Sequence, residues 1–194
     1  MTTLRIVLAS TSRYRAELLR RLLDDFEQVA PDVDEQPLPG EAPAARAARL
    51  AAAKAIAVSK RLRGAVVIGS DQVAALGDTI LHKPLSRDNA HEQLRASSGN
   101  TVDFHTGLCV FGGPGGQPQP HVDHTRVVFR TLSDDEIRRY LAREHPFDCA
   151  GSFKSEGAGI ALFDRIESAD PTALVGLPLI ALAQRLREAG IPVP

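Results

Sequence analysis

Tryptophan is absent from the 194 residues, and aromatic side chains make up only 5% of them, with 2 Tyr and 7 Phe. So few rings cannot build the rows of base-stacking aromatics used by single-strand nucleic-acid binders, and any aromatic in a loop gains weight. Cysteine is nearly missing too. Cys109 and Cys149 stand far apart with no CxxC and no Cys/His cluster, which argues against a zinc site and a disulfide framework and points to a reducing compartment. Neither sign of charge dominates: 23 Lys+Arg against 24 Asp+Glu give a formal charge of -1. The overall basic character of non-specific nucleic-acid or acidic-membrane binders is therefore lacking, a balance that still leaves room for a local basic pocket. No apolar run approaches the ~20 residues of a membrane helix. The opening MTTLRIVLAS has one short apolar run and then turns polar, unlike a signal peptide or anchor. A soluble, cytoplasmic protein is expected.

What is present suits one domain over residues 1–194, or one with a small lobe: 43% of the residues are hydrophobic and 24% charged. Folding at this length buries roughly 70% of the surface of the unfolded chain, so no metal or disulfide staple is needed, and fold stability does not explain the polar clusters. Residues 4–9 read as a buried strand running into the hydroxyl-rich Ser10-Thr11-Ser12. A helix follows, with Leu18, Leu19, Leu22, Leu23 and Phe26 at helical spacing. Residues 31–43 hold four prolines and several acids and form a loop carrying Asp34 and Glu35. An alanine-rich helix over 43–60 carries Lys54. A second apolar strand over 65–69 ends in Ser70-Asp71-Gln72, and in open α/β sheets ligands collect beyond the carboxyl ends of strands.

Further on, the pattern predicts a helix over 86–96, a strand over 101–111 and an antiparallel partner over 121–130. The intervening GGPGGQPQP lacks GK[ST] and a following helix, so it reads as a hairpin loop and not as a phosphate loop. Ser133 with Glu136 makes a capping box for a helix to residue 143. Residues 151–163 form a glycine-spaced segment closing in an apolar strand, and a last amphipathic helix spans 177–189, with Pro178 early and Gly190 as its stop. No repeat, coiled coil or disordered domain is evident.

Several chemistries have no motif. There is no HExxH, no paired cysteine and no GxSxG, and His121 and His124 fall on opposite faces of their strand, which disfavours a shared metal. The segment Ser10-Thr11-Ser12-Arg13-Tyr14-Arg15 is richer, with three hydroxyls and two guanidiniums in the turn before a helix. It reads as an anion site, or equally as a Ser12 or Thr11 helix cap with both arginines in solvent. Lys54 and Lys83 each read alone as surface lysines, and Asp71 alone as a turn-former. Taken with Asp34 and Glu35, Asp71 offers hard oxygen ligands for Mg²⁺ or Mn²⁺, beside basic groups for phosphate.

In order along the chain, LASTSRYRAELL at 8–19, VDE at 33–35, the Lys54 helix, GSDQV at 69–73, KP at 83–84, SG at 98–99, TGL at 106–108, GSFKSEGAGI at 151–160 and GLPL at 176–179 resemble the Maf family of nucleoside triphosphate pyrophosphatases. The resemblance runs nearly end to end. It implies an α/β fold similar to that of inosine triphosphatases, an elongated mixed sheet with two lobes and a central cleft, commonly dimeric. The implied reaction cleaves a nucleoside triphosphate between its α and β phosphates with a divalent cation, Mg²⁺ or Mn²⁺. By the same resemblance Asp71 is the catalytic acceptor that activates water, Ser10, Arg15, Lys54 and Lys83 hold the phosphates, and Glu35 joins Asp71 as a metal or water ligand. Such hydrolysis asks for positioning and charge neutralisation, with no covalent nucleophile.

Branches of the family differ at positions that are here Tyr14, Gln72 and Glu156. These resemble the branch acting on 7-methyl-GTP; the branch acting on dTTP and UTP carries arginine, threonine and glutamine. N7-methylated guanine is cationic, so an aromatic face attracts it, and a carboxylate accepts from its N1–H and amino group. Three departures stand out: Arg13 in place of proline, His82 in place of glycine, and Tyr14 in place of tryptophan, a weaker cation–π face. The expected substrate is 7-methyl-GTP. The alternatives are a dTTP/UTP/CTP pyrophosphatase of the same family and a nucleotide-binding regulator of cell division. A homodimer, with neither nucleic acid nor membrane as partner, is also expected.

Overall fold

The computed structural model describes residues 4–112 and 117–194. Its elements are β1 (Ile6–Leu8), α1 (Arg13–Leu19), β2 (Glu27–Gln28), α2 (Pro43–Arg61), β3 (Val66–Leu76), β4 (Thr79–Leu81), α3 (Arg87–Ser97), β5 (Thr101–Phe111), β6 (Gln119–Phe129), α4 (Asp134–Glu144), β7 (Phe163–Glu167) and α5 (Leu179–Glu188). The strands form an open, mixed sheet in the order β2-β1-β3-β5-β6-β7, with β4 also on β3. This is the α/β class that the sequence predicts. The chain divides into two compact units, one of Met1–Gln72, Thr106–Asp123 and Asp170–Pro194, the other of Val73–His105 and His124–Ala169.

In the first unit, β1 lies parallel to both β2 and β3. The alternation of side chains along a strand sends Leu8, Val66, Ile68, Leu108 and Val110 to one core with α1 and α5. Val7, Ala9, Val67 and Cys109 pack instead with Ala51, Ala55 and Val58 of α2. Two glycines set how closely α2 approaches. A Cβ on Gly69 would collide with the Ala51 carbonyl, and one on Gly107 with the Ala47 carbonyl. Bare backbone on β3 and β5 thus lets an alanine-rich helix sit directly on the sheet.

In the second unit, β4 returns antiparallel to β3 through the two-residue turn Gly77-Asp78, where Gly77 takes the positive φ of +57° that such tight hairpins require. β6 and β7 pair antiparallel. The scarce aromatics concentrate here: Phe104, Phe129, Phe153 and Phe163 meet edge to face at centroid distances of 4.8–5.7 Å. Ser133 and Glu136 make the predicted capping box at the start of α4.

Three expectations need correction. The strand predicted over 65–69 runs on to Leu76, so Ser70-Asp71-Gln72 lies inside β3 and not beyond its end. The polar residues are tolerated there because each finds a tertiary partner, described below. The first helix stops at Leu19, short of Phe26; its last turn tightens through Arg21 N–H to the Leu18 carbonyl, and the chain must then straighten to pair β2 with β1. Residues 158–162 form a 3₁₀ turn and the strand begins only at Phe163, since Gly159 lies against the Lys154 carbonyl. β4 was not anticipated, although its Gly-Asp turn is a hairpin signal. Part of the glycine-rich hairpin predicted at GGPGGQPQP, residues 113–116, lies outside the described residues.

Candidate functional site

The inner stripe of α2 consists of Ala47, Leu50, Ala51, Lys54, Ala55 and Val58. Lys54 is thus the one charged side chain in an apolar face, and it is only 5% exposed. A buried ammonium needs anionic partners, and two converge on it: Asp71 Oδ1 at 2.6 Å and Glu35 Oε1 at 2.7 Å. Asp71 projects from the middle of β3 and is 8% exposed, whereas Glu35 comes from the exposed loop before α2. That loop is fastened to the helix: Arg46 donates to the Glu35 carbonyl at 2.9 Å, and Arg49 donates to the Gln36 carbonyl and pairs with Glu41. The same pairing holds the Glu41 carboxyl down at about 2.

Arg15 and Ser10 belong to the same unit. Ser12 caps α1, its Oγ accepting from the Arg15 backbone N–H at 3.4 Å, so the capping reading of this turn is correct. Arg15 is nevertheless not in solvent. Its side chain is half-buried, donating from Nε to the Gly176 carbonyl at 2.9 Å and from Nη1 to Ser10 Oγ at 3.4 Å. Burial pulls its pKa below the ordinary guanidinium value, and the negative charges of Asp71 and Glu35 act the other way. Ser10 Oγ also accepts from the Ser12 backbone N–H. The Arg15 and Lys54 side chains bring positive charge to this region, while the Ser10, Ser12 and Arg15 backbone N–H groups are engaged internally.

The two residues flanking Asp71 in β3 are fixed by hydrogen bonds. Ser70 Oγ lies 2.8 Å from the Gly107 carbonyl and 2.9 Å from that of Gly176. Gln72 Nε2 lies 3.0 Å from Thr106 Oγ1 and from the Ala173 and Leu174 carbonyls, which orients the amide. Tyr14 is half-buried, with the Arg13 guanidinium 4.8 Å above its ring centroid and donating to its hydroxyl at 2.8 Å.

Lys83 and Glu156, the remaining sequence-predicted site residues, belong to the second unit, and both are exposed. The loop of Glu156 is held at its base. Lys154 donates from its backbone N–H to Tyr140 Oη at 3.0 Å and from Nζ to the Glu144 carbonyl at 2.7 Å, and Ala158 N–H donates to Glu144 Oε1 at 2.9 Å.

Sequence reading missed several supporting residues: Arg46, Gln28, whose amide donates to the Ser10 and Ser12 carbonyls, and Asp170 with Thr172. Only one of these omissions had a local signal, Asp170-Pro171-Thr172, a turn-forming run just before a helix. The placement of Lys54 in the apolar period 47-50/51-54-58 was also readable and would have separated it from a surface lysine. No helix among the described residues is long and apolar enough to cross a membrane.

A buried lysine lies between two carboxylates, with an arginine and a serine hydroxyl in the same unit, so both signs of charge are gathered there. A family model described as "Maf-like protein" matches residues 5–189. The chain is 56% identical over 192 residues to the "7-methyl-GTP pyrophosphatase" of Burkholderia thailandensis, covering 97% of this chain and 89% of that protein. It is 58% identical over 191 residues to the protein of that name in Xanthomonas oryzae pv. oryzae, covering 98% and 99%. A third of the same name, from Nitrosococcus oceani, is 54% identical over 188 residues. Similarity of this extent, spanning every element that carries the site, makes the chain a member of the Maf family.

Proposed function

We propose that the chain hydrolyses 7-methyl-GTP to 7-methyl-GMP and diphosphate. The observation that carries the reading is the Asp71–Lys54–Glu35 cluster with Arg15 beside it, in a chain more than half identical to three proteins named 7-methyl-GTP pyrophosphatase. In the reaction a water oxygen bonds to the α-phosphorus as the bridging α–β P–O bond breaks, and diphosphate departs. Asp71 accepts the proton of that water. Lys54, 2.6 Å from its carboxylate, orients Asp71 before substrate arrives. Arg15, with Nε tied to Gly176 and Nη1 to Ser10, offers its remaining donors to phosphate oxygens, and Ser10 and Lys54 of the same unit join it; the family resemblance alone adds Lys83 as a phosphate-binding residue.

Asp71 and Glu35 suit a hard divalent cation. No group of three or more His, Cys, Asp or Glu among the described residues could hold a metal alone, and a carboxylate pair is what Mg²⁺ takes from protein when phosphate and water fill its other positions. Asp71 and Glu35 would hold Mg²⁺ or Mn²⁺, which would supply neutralisation of the triphosphate charge. For base selection, Tyr14 offers a ring to the cationic purine, Gln72 an acceptor oxygen, and Glu156 a carboxylate for the guanine N1–H and amino group. We extend the proposal to a cytoplasmic homodimer, which light scattering of the purified protein checks.

The test is diphosphate release by purified protein with Mg²⁺ from 7-methyl-GTP, GTP, dTTP, UTP and CTP. The expected order places 7-methyl-GTP first, and Asp71→Asn abolishes release while leaving a folded protein. Faster cleavage of dTTP, UTP or CTP would assign the chain to the pyrimidine branch, and nucleotide binding without release would make it a regulator of the cell-division kind. Glu156→Gln is expected to lower use of 7-methyl-GTP more than that of the other nucleotides.

A further inference from the structure

One buried carboxylate in the first unit has no part in the reaction outlined above. Asp170 is 3% exposed, and it is bonded to a short segment downstream: Oδ1 accepts from Thr172 N–H at 2.9 Å and from Thr172 Oγ1 at 2.6 Å, and Oδ2 accepts from Ile180 N–H at 2.7 Å. Thr172 Oγ1 in turn accepts from Leu179 N–H at 2.9 Å and lies 2.9 Å from the Leu177 carbonyl. Leu179 and Ile180 are the first residues of α5, whose N–H groups have no partner within the helix. The residue at the cap position is Pro178, which gives no side-chain cap. The helix is therefore capped from seven to ten residues upstream, with a negative charge at its positive end.

The geometry between those two anchors connects the cap to the site. Residues 170–180 are pinned at one end by Asp170 and Thr172 and at the other by α5, and a 3₁₀ turn over Ala173–Val175 lies between. The carbonyls of that turn are the acceptors used by the site's side chains. Gly176 O receives Arg15 Nε and faces Ser70 Oγ, Ala173 O receives Gln72 Nε2 and Thr106 Oγ1, and Leu174 O receives Gln72 Nε2. A guanidinium tied at Nε has its plane fixed, and with it the direction of its remaining donors. We propose that Asp170, acting through Thr172 and the 173–176 carbonyls, is a positioning residue that sets the orientation of Arg15. The consequence for catalysis rests on the reading of Arg15 as a phosphate-binding residue; the orientation itself does not.

The two layers are tested separately on the full chain. In Asp170→Asn, one acceptor oxygen is replaced by a donor and the charge is lost. In Thr172→Val, the relay hydroxyl is lost but Asp170 keeps its charge, so this variant carries the test if the first does not fold. Solvent exchange of the Arg15 Nε–H, read by NMR without ligand, is expected to speed up about tenfold or more in the folded variant, as expected for a released hydrogen bond, while the Val67 and Ile68 amides keep their protection. In steady-state assays with 7-methyl-GTP, KM is expected to rise about tenfold with kcat within about threefold. In an Arg15→Ala background, Asp170→Asn is expected to add no more than about twofold to KM, because the two act as one unit. A purely structural role would multiply KM by the same factor in both backgrounds, and that result overturns the proposal, as does unchanged Arg15 exchange in the folded variants. Should Arg15→Ala by itself leave KM unaltered while the exchange effect is present, the positioning of Arg15 stands and its phosphate role falls.

Discussion

Lys54 and Asp71 are expected to act as one electrostatic unit, so that removing one partner costs more than removing both. Their charged atoms lie 2.6 Å apart with both side chains almost fully buried. Removing one partner of such a pair costs about 3–5 kcal/mol, because the other charge stays in a poorly solvating place. In Lys54→Met the stranded charge is Asp71, while the exposed Glu35 turns to water with a loss under about 1 kcal/mol. The low end of the range applies, about 3 kcal/mol. In Asp71→Asn the lysine keeps Glu35 at 2.7 Å and still finds an amide oxygen, so the cost falls to about 1–2 kcal/mol. The double variant strands neither charge and is expected within about 1 kcal/mol of the parent. The singles therefore sum to about 4–5 kcal/mol against about 1 for the double, a coupling of about 3 kcal/mol or more. Urea and thermal unfolding at neutral pH measure it; for this length the Lys54→Met loss corresponds to a Tm lower by about 6–12 °C, which the second substitution restores. If the two losses add to within about 0.5 kcal/mol, the pair is not the electrostatic unit described here.

Arg13→Ala removes the guanidinium from over the Tyr14 ring and is expected to raise kcat/KM for 7-methyl-GTP relative to GTP by about two- to fivefold, the value of an exposed cation–π contact; an unchanged or lower ratio shows that the base does not use that face. Gly107→Ala drives a methyl group into the backbone of α2 and is expected to cost about 1–3 kcal/mol, with kcat lowered as Lys54 lifts from Asp71; a Tm and kcat both within error of the parent refute the close-approach argument. Glu136 is held at about 2 by the Ser133 N–H and hydroxyl and by Arg130. Its pKa is depressed on folding, so its contribution is present above the ordinary carboxylate range and is lost as pH falls through about 2. Ser133→Ala is expected to cost about 1 kcal/mol and to move the Glu136 titration, followed by NMR, upward toward ordinary values; a titration that stays put refutes the capping box as its cause.

Helices were the most legible part of the fold, because their signals are local. Pro43 at the start of α2, the Ser133/Glu136 box and the glycine after α5 all act within one turn of where they stand. The strand β3 was less legible for the opposite reason. Ser70, Asp71 and Gln72 look like a strand end until their partners are known, and those partners sit at Gly107, Lys54, Thr106 and residues 173–176, far along the chain. The site residues themselves were named from the sequence, but largely through family resemblance. Their physical arrangement was not readable: nothing local says that Lys54 is shared by two carboxylates, or that Arg15 is tied to Gly176. Asp170 escaped because its role is to orient backbone carbonyls, and carbonyls leave no mark in a sequence.

The seat of α2 on bare β3 and β5 backbone bears on how this protein can change over generations. No side chain lies between the helix and Gly69 or Gly107 that could be trimmed or enlarged by small steps, so the spacing of Lys54 from Asp71 has no gradual adjustment and most substitutions at the two glycines are barred outright. Tyr14, half-buried at the start of α1, and Glu156, exposed on its loop, carry no such restriction. On the roles proposed above for these residues, substrate preference is open to drift while the hydrolytic centre is not, so new nucleotide specificities would be reached by way of the loops with the chemistry left as it stands.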